Sequence, residues 1–335
     1  MITKTKKKKL AILRVMKEAD KPLSSGRIYD ELSSLGYEIS ERTVRFYLQE
    51  MENDGLIEKQ NSRSRSITES GLNELDSSGT IERVGFLSSK IDQMTYQMNF
   101  DLSSKSGTVV INVTVVSPES LSNCLSLIRR VYEDGYAMGH LVTLLRPGER
   151  VGHISVPQGM IGIGTVCSIT LNGVLLKYCV PTNSRFGGLL ELEGRKPTRF
   201  AEIIMYDGTS LDPLEVFIRS GMTDYIGAVK TGNGRIGASF REFPAGSREL
   251  VQELAGRLDT IGLGGFMKIG WPGQTLLEIP VSEGRAGAIV IGGLNPVAIL
   301  EETGVRVYSR ALAGLIDFSR LFRYEELESR LRKML

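Results

Sequence analysis

The feature that most constrains this 335-residue chain is an internal repeat. Shifted by 125 residues, Gly139 falls on Gly264, Pro147 on Pro272, Gly148 on Gly273, Val156 on Val281, Gly159 on Gly284 and Gly162 on Gly287. Ser184-Arg185 falls on Ser309-Arg310. One residue of slippage later, Gly188-Leu189-Leu190-Glu191 falls on Gly314-Leu315-Ile316-Asp317. Matched glycines imply matched turns, because glycine alone takes left-handed backbone cheaply. The order of elements repeats too: a strand (109–116; 235–243), a helix (119–134; 248–259), a Gly/Pro-punctuated segment, then apolar strand-like runs. In the first helix Leu121, Leu125, Ile128 and Val131 form one face, with Cys124 a core residue beside them. The C-terminal region, 106–325, therefore reads as an α/β domain of two pseudo-symmetric halves, 106–191 and 232–317. An insert, 192–231, separates them; it holds a strand at 200–206 and a helix opened by Asp212-Pro213-Leu214-Glu215, the pattern of a capping box. Residues 326–335 read as a tail.

Ahead of the repeat, residues 1–78 carry a different pattern. Leu10, Leu13, Val15 and Met16 predict a first helix that stops before Lys21-Pro22. A second helix is capped by Ser24 or Ser25, buries Ile28, Leu32 and Leu35, and stops at Gly36. Ser40 caps a third helix, 41–53, with Val44, Leu48 and Met51 inward. A hairpin tip, 60–66, carries Arg63 and Arg65 among serines. Three helices and a basic hairpin make a winged helix-turn-helix, so the fold class is α+β multidomain. The third helix would present Arg42, Thr43, Arg45, Phe46 and Gln49 to base edges in a major groove. Lys7, Lys8 and Lys9, in a lysine run read as preceding the first helix, suit phosphates, which set affinity but not sequence. Residues 79–105 read as a linker helix, with Val84, Leu87, Ile91, Met94 and Met98 at helical spacing.

Composition narrows the class of function. Lysine and arginine number 41 against 39 acids, so nucleic-acid affinity must come from local charge. Three cysteines without CxxC spacing and two histidines leave no zinc set, no disulfide framework and little room for a Ser–His–acid triad. No apolar stretch is long enough to span a bilayer, and a reducing cytoplasm is the expected setting. There is no GxxxxGK[ST] loop, and Gly162-Ile163-Gly164 lacks the third glycine of a dinucleotide fingerprint. A binding domain, with no cofactor, fits better than an enzyme. The densest unusual run is 163–174, whose small and hydroxyl residues allow close approach of a ligand or of another backbone. Cys167 within it reads as a reactive thiol, a ligand contact or a small buried hydrophobe. His140 faces a glycine, Gly265, in the other copy, which suits a specialised role or a structural hydrogen bond.

The motifs IGTVCSITLNGVLLK (163–177), RFGGLLEL (185–192), MYDGTSLDPLEVFIRSGMT (205–223), GRIGASFREFPA (234–245) and IGGLNPVAILEETG (291–304) resemble those of the archaeal nitrogen regulatory repressors, the NrpR family. With the winged helix in front, the resemblance covers nearly the whole chain. It implies a homodimeric repressor of nitrogen-fixation and ammonium-assimilation genes, bound to palindromic double-stranded DNA and released by 2-oxoglutarate. Some members carry two C-terminal domains and this chain carries one, so a partner repressor subunit enters as a further expected partner. A dicarboxylate needs cationic, hydroxyl and backbone donors. His140, Thr165, Cys167, Ser168, Asn172, Arg185, Gly187, Gly188 and Lys268 are the residues expected to converge on it between the halves, with Arg185 central. The competing readings are an adaptor that docks on basal transcription factors or a partner subunit instead of DNA, and an enzyme fused to a winged helix.

Overall fold

The computed structural model describes residues 4–19, 21–34, 37, 39–61, 64–72, 74–75, 86–152 and 154–334. They form two units, Met1–Val84 and Gly85–Leu335. The expected positions of Leu35, Gly36, Arg63 and Val84 lie outside the described residues.

The first unit runs α1 (Lys4–Ala19), β1 (Leu23–Ser24), α2 (Ser25–Ser34), α3 (Glu41–Asn53), β2 (Ile57–Lys59) and β3 (Ser64–Ile67). Ser40 caps α3 by accepting from the Thr43 amide, and Val44, Leu48 and Met51 are its buried face. They pack with Ile12, Leu13, Met16, Ile28 and Leu32 into one small core. A three-stranded antiparallel sheet, ordered β1-β3-β2, makes the wing. One expectation is corrected here. The lysine run does not precede the first helix but forms its opening turns. Lysine is a good helix former, and the apolar stripe behind it supplies the packing that holds the helix.

The second unit opens with α4 (Phe86–Gln97). The first repeat follows as β4 (Thr108–Val116), α5 (Pro118–Glu133), β5 (Leu141–Leu145), β8 (Ile161–Val166), α6 (Ile169–Lys177) and β9 (Asn183–Glu193). A short ribbon, β6 (Arg150–Val151) and β7 (Ile154–Ser155), interrupts it. Next come β10 (Lys196–Met205), α7 (Pro213–Arg219) and α8 (Tyr225–Thr231). The second repeat is β11 (Gly234–Pro244), α9 (Arg248–Thr260), β12 (Phe266–Ile269), β13 (Arg285–Ile291), α10 (Asn295–Glu302) and β14 (Tyr308–Asp317). β15 (Phe322–Arg323) and α11 (Leu327–Arg332) close the chain.

Each repeat is thus β-α-β-β-α-β, but neither completes its own sheet. The sheets are ordered β14-β4-β8-β5-β15 and β10-β9-β11-β13-β12, all antiparallel. The core of each has the 4-1-3-2 order of a ferredoxin-like fold, with the fourth strand supplied by the other repeat. β9 pairs with β11, and β14 with β4. The helices intermix as well, α5 of the first repeat packing on α10 of the second. A cut at residue 191 or 317 therefore separates strands from the sheet they complete, and the halves read from the sequence are not halves in space.

Two further boundaries shift. The helix expected at 79–105, α4, belongs to the second unit, because Leu87 and Ile91 are buried and it packs on α6 and β14. The 326–335 segment is not a tail, because α11 buries Leu327 and Leu331 against α5 and β5.

The pseudo-two-fold relation shows where equivalent turns touch. Gly139 has φ +70°, and a Cβ there would lie 2.1 Å from the Gly262 carbonyl oxygen and 3.2 Å from that of its repeat partner Gly264. Gly139→Ala is expected to cost about 2–4 kcal/mol through strain and clash together. Gly135→Ala, at φ +74° with open space around it, should cost only about 1 kcal/mol. Chemical denaturation of both variants checks this, and equal costs would remove the contact from the account.

Candidate functional site

In the first unit α3 turns Arg42, Arg45, Phe46 and Gln49 outward. Val44, Leu48 and Met51 leave this face no choice, since they occupy the opposite one. Thr43 is half-buried and its hydroxyl lies 2.8 Å from the Ser40 hydroxyl, so it belongs to the cap. Arg45 is tied to Glu41 one turn back, at 2.6 Å. Two residues expected to contact DNA have other partners. Lys9 Nζ lies 3.1 Å from Glu50 and 3.5 Å from Asp54, which fastens α1 to the end of α3. Arg65 is mostly buried and pairs with Glu52 at 3.2 Å, joining the wing to the same helix, with Lys59 on the other oxygen at 2.8 Å. Sequence spacing could not reveal these pairs, which join positions far apart in the chain. Lys8 is half-buried; the Lys7 side chain lies outside the described residues.

In the second unit the turn from β8 into α6 abuts the turn from β13 into α10. A Cβ on Gly293 would lie 2.4 Å from the Val166 carbonyl oxygen and 2.5 Å from Asn112 Nδ2. Beside this crossing lies a small cavity of about 20 Å³, lined by Asn112, Cys167, Ser168, Tyr206, Asp212 and Ser239 among others. Next to it is Arg241 on β11, 1% exposed. Its guanidinium donates to the Ser168 carbonyl at 2.8 Å, the Ser168 hydroxyl at 2.6 Å, the Ser239 hydroxyl at 3.4 Å and the Asn172 side-chain oxygen. Its Nε is buried without a partner. No carboxylate lies within ion-pair distance of it among the described residues, and burial lowers its pKa. A buried cation held only by neutral acceptors is costly.

Asp212 stands across the same cavity. It caps α7, accepting from Leu214 and Glu215 amides at 2.9 and 3.2 Å. Only this half of the expected capping box forms, because Glu215 turns away to the Ala311 amide and Arg310 at 2.7 and 2.8 Å. Burial, and then the Glu215 charge, push the Asp212 carboxyl up to about 7. Burial likewise pushes the Cys167 thiol up to about 11, so it is a neutral wall and not a reactive thiolate.

Of the residues expected to converge on a ligand, Cys167, Ser168 and Asn172 therefore meet. Thr165 is one strand position away, buried and accepting from Asn112 at 3.3 Å. Arg185 is elsewhere. It donates to Glu242 at 2.9 Å and to the Pro280 carbonyl at 2.6 Å. Gly187 and Gly188 serve packing, since a Cβ on either would lie within 3 Å of Pro213 or of the Glu202 backbone. Lys268 is exposed on the edge strand β12. His140 lies by the Gly139 turn, its ring 6.0 Å from Tyr324 and its Nδ1 buried without a partner.

Arg241, Tyr206 and Ser239 were not expected at a site, and Asp212 was expected only as a helix cap. Strand pairing gives the reason. Ile111 faces Val166 as Ala238 faces Ile291, so the first strands align two residues beyond the 125-residue shift. In that register Arg241 corresponds to Thr114, which pairs with Ser309 as Arg241 does with Ser184. One copy has a buried hydroxyl pair, Thr114 and Ser309 at 2.8 Å, where the other has a cation. That break in symmetry is the signal, and it is visible only in the correct register.

The fold defines a winged-helix protein with a two-repeat α/β unit, and comparison with known proteins agrees. The family described as NrpR regulatory domains NRD1 and 2 matches residues 84–323, and the Ribonuclease R winged-helix domain matches 10–75. The global nitrogen regulator NrpRI of Methanosarcina mazei is 33% identical over 312 residues, 93% of this chain and 96% of that protein. The global nitrogen regulator NrpR of Methanocaldococcus jannaschii is 30% identical over 322 residues, 96% of this chain but 55% of that longer protein. A solved nitrogen repressor-like protein from Methanococcus jannaschii superposes with a TM-score of 0.60 at 28% identity, covering 70% of this chain and 97% of that one. The chain belongs to the NrpR family. No described helix is long and apolar enough to cross a membrane.

Two outcomes follow. Arg185→Ala is expected to cost about 2–3 kcal/mol by leaving Glu242, 1% exposed, with only its Ser282 bonds, while leaving ligand response intact; unfolding and binding assays on one sample separate the two effects. For Asp212, folded near 7 and unfolded near ~3.9, the proton is held more tightly in the folded state. Stability through this group is full below about pH 4 and falls, by an amount on the order of a few kcal/mol, as pH rises to about 7. Asp212→Asn should remove that slope, and parallel denaturation at pH 5 and pH 8 would reveal a slope that persists.

Proposed function

We propose that this protein is a transcriptional repressor of nitrogen-assimilation genes that binds operator DNA as a homodimer and is released by 2-oxoglutarate. The observation that carries the effector half of this reading is Arg241: a buried cation with no carboxylate partner among the described residues, next to a cavity whose walls come from both repeats and the insert. An α-keto acid supplies what the site lacks. One carboxylate would balance Arg241, and the keto oxygen and second carboxylate would find the Ser168, Ser239 and Tyr206 hydroxyls. Uptake of a dianion favours protonated Asp212, which then donates a hydrogen bond.

The size of the cavity supports a mechanism of release. At about 20 Å³ it has room for roughly one water. A dicarboxylate enters only if the 166–169 and 292–294 turns part. Ligand binding then selects a state in which the repeats have shifted, and the free energy of that differential binding is what moves the equilibrium. The names of the relatives, global nitrogen regulators, fit a metabolite that reports nitrogen shortage.

The test is fluorescence anisotropy on a palindromic promoter fragment, with and without millimolar 2-oxoglutarate, at two salt concentrations. Salt-sensitive binding weakened by 2-oxoglutarate is expected. Ser168→Ala should keep the DNA affinity and reduce the response about tenfold. Binding indifferent to 2-oxoglutarate sinks the effector, and no salt-sensitive binding at all favours the adaptor.

A further inference from the structure

We propose that Phe46 is a specificity-determining residue, reading a thymine methyl group at the centre of three successive base pairs, with Arg42 and Gln49 reading the base pairs on either side. The inference rests on the DNA-binding reading above and adds what the reading head selects.

Phe46 is 59% exposed, an unusual place for an aromatic ring in the middle of a regular helix. The nearest ring, Tyr47, has its centroid 5.9 Å away and is only half-buried, so no intramolecular pocket receives it. Its surroundings favour nucleic acid over a protein partner. Every acid within α3 is already matched by a cation: Glu41 by Arg45, Glu50 by Lys9, and Glu52 by Lys59 and Arg65. Arg42 is exposed and forms no ion pair among the described residues, so the charge left over on this surface is positive.

Arg42, Phe46 and Gln49 stand at i, i+4 and i+7, one stripe opposite Val44, Leu48 and Met51. At ~1.5 Å per residue the stripe is about 10 Å long, against about 6.8 Å between the first and third of three successive base pairs at ~3.4 Å each, a difference that the long Arg42 and Gln49 side chains at its ends can span. A recognition helix covers three successive bases with residues spaced over a similar length. The chemistry along the stripe is a guanidinium fork, an apolar ring and an amide. Those match the O6 and N7 acceptors of guanine, the C5 methyl of thymine, and the N6 and N7 pair of adenine. Arg45 is held by Glu41 beside the stripe, which leaves the ring as the central contact.

The experiment begins by enriching bound duplexes from a random pool with the full chain. Each thymine of the enriched site is then replaced by uracil, which removes only the methyl group, and affinities are measured for the wild type and for Phe46→Ala. In the wild type, one position per half-site should lose about three- to fivefold, the worth of one buried methyl group. At that position Phe46→Ala should be weaker but indifferent to uracil, and Phe46→Leu should regain part of the sensitivity. A wild type with no uracil-sensitive position, or a sensitivity unchanged in Phe46→Ala, overturns the proposal. Failure to enrich any sequence under salt-sensitive conditions overturns the DNA-binding reading itself.

Discussion

The exchange of fourth strands between the two repeats is the constraint on which the second unit depends. β9 leaves the first repeat to pair with β11, and β14 leaves the second to pair with β4. Neither repeat can satisfy the edge of its own sheet, so each is incomplete without the other. The two do not behave as beads on a string, which could separate at little cost. Any relative motion of the repeats must carry along the strands exchanged between them, and small shifts near the pseudo-axis are the motions such an architecture permits.

That constraint explains why a cation sits where it does. Arg241 comes from the second repeat, and Ser168 and Asn172, its closest acceptors, come from the first. Asn172 passes the contact on to Ser184, at the start of the strand that crosses between the repeats. At the symmetric place the hydroxyls of Thr114 and Ser309 make one short bond. A duplicated scaffold needs only such a bond to hold its strands together. The copy with arginine carries a desolvated charge that packing does not require, which is the feature on which the proposed anion binding rests.

How much of this could be read in the sequence depended on the range of the interactions. The winged helix was legible because its determinants are local. Ser40 caps α3 through a residue three positions on, and Val44, Leu48 and Met51 repeat with helical period. The repeat was legible through its glycines, because turns such as that at Gly139 tolerate nothing else. The strand exchange was not, since each strand has the same apolar pattern whichever sheet it joins. Arg185 looked like a ligand cation because its acid, Glu242, is 57 positions away. Lys9 and Arg65 looked available for phosphate because Glu50 and Glu52 are intrahelical neighbours whose partners the sequence does not show.

The two units divide the work in a way their cores reflect. The first unit has a small core, and ion pairs from Lys9, Lys59 and Arg65 fasten α1 and the wing to α3. The same pairs hold the exposed face of Arg42, Phe46 and Gln49 at fixed spacing, which the proposed reading of DNA requires. The second unit has one large continuous core but keeps within it a cavity, a guanidinium with no carboxylate in ion-pair reach among the described residues, and a carboxyl poised near neutrality. Filling that centre with apolar side chains would stabilise the closed state, and it would also abolish any reason for the state to change. A closed form strained at its centre can be displaced by a ligand that neutralises the strain, whereas a perfectly packed one cannot.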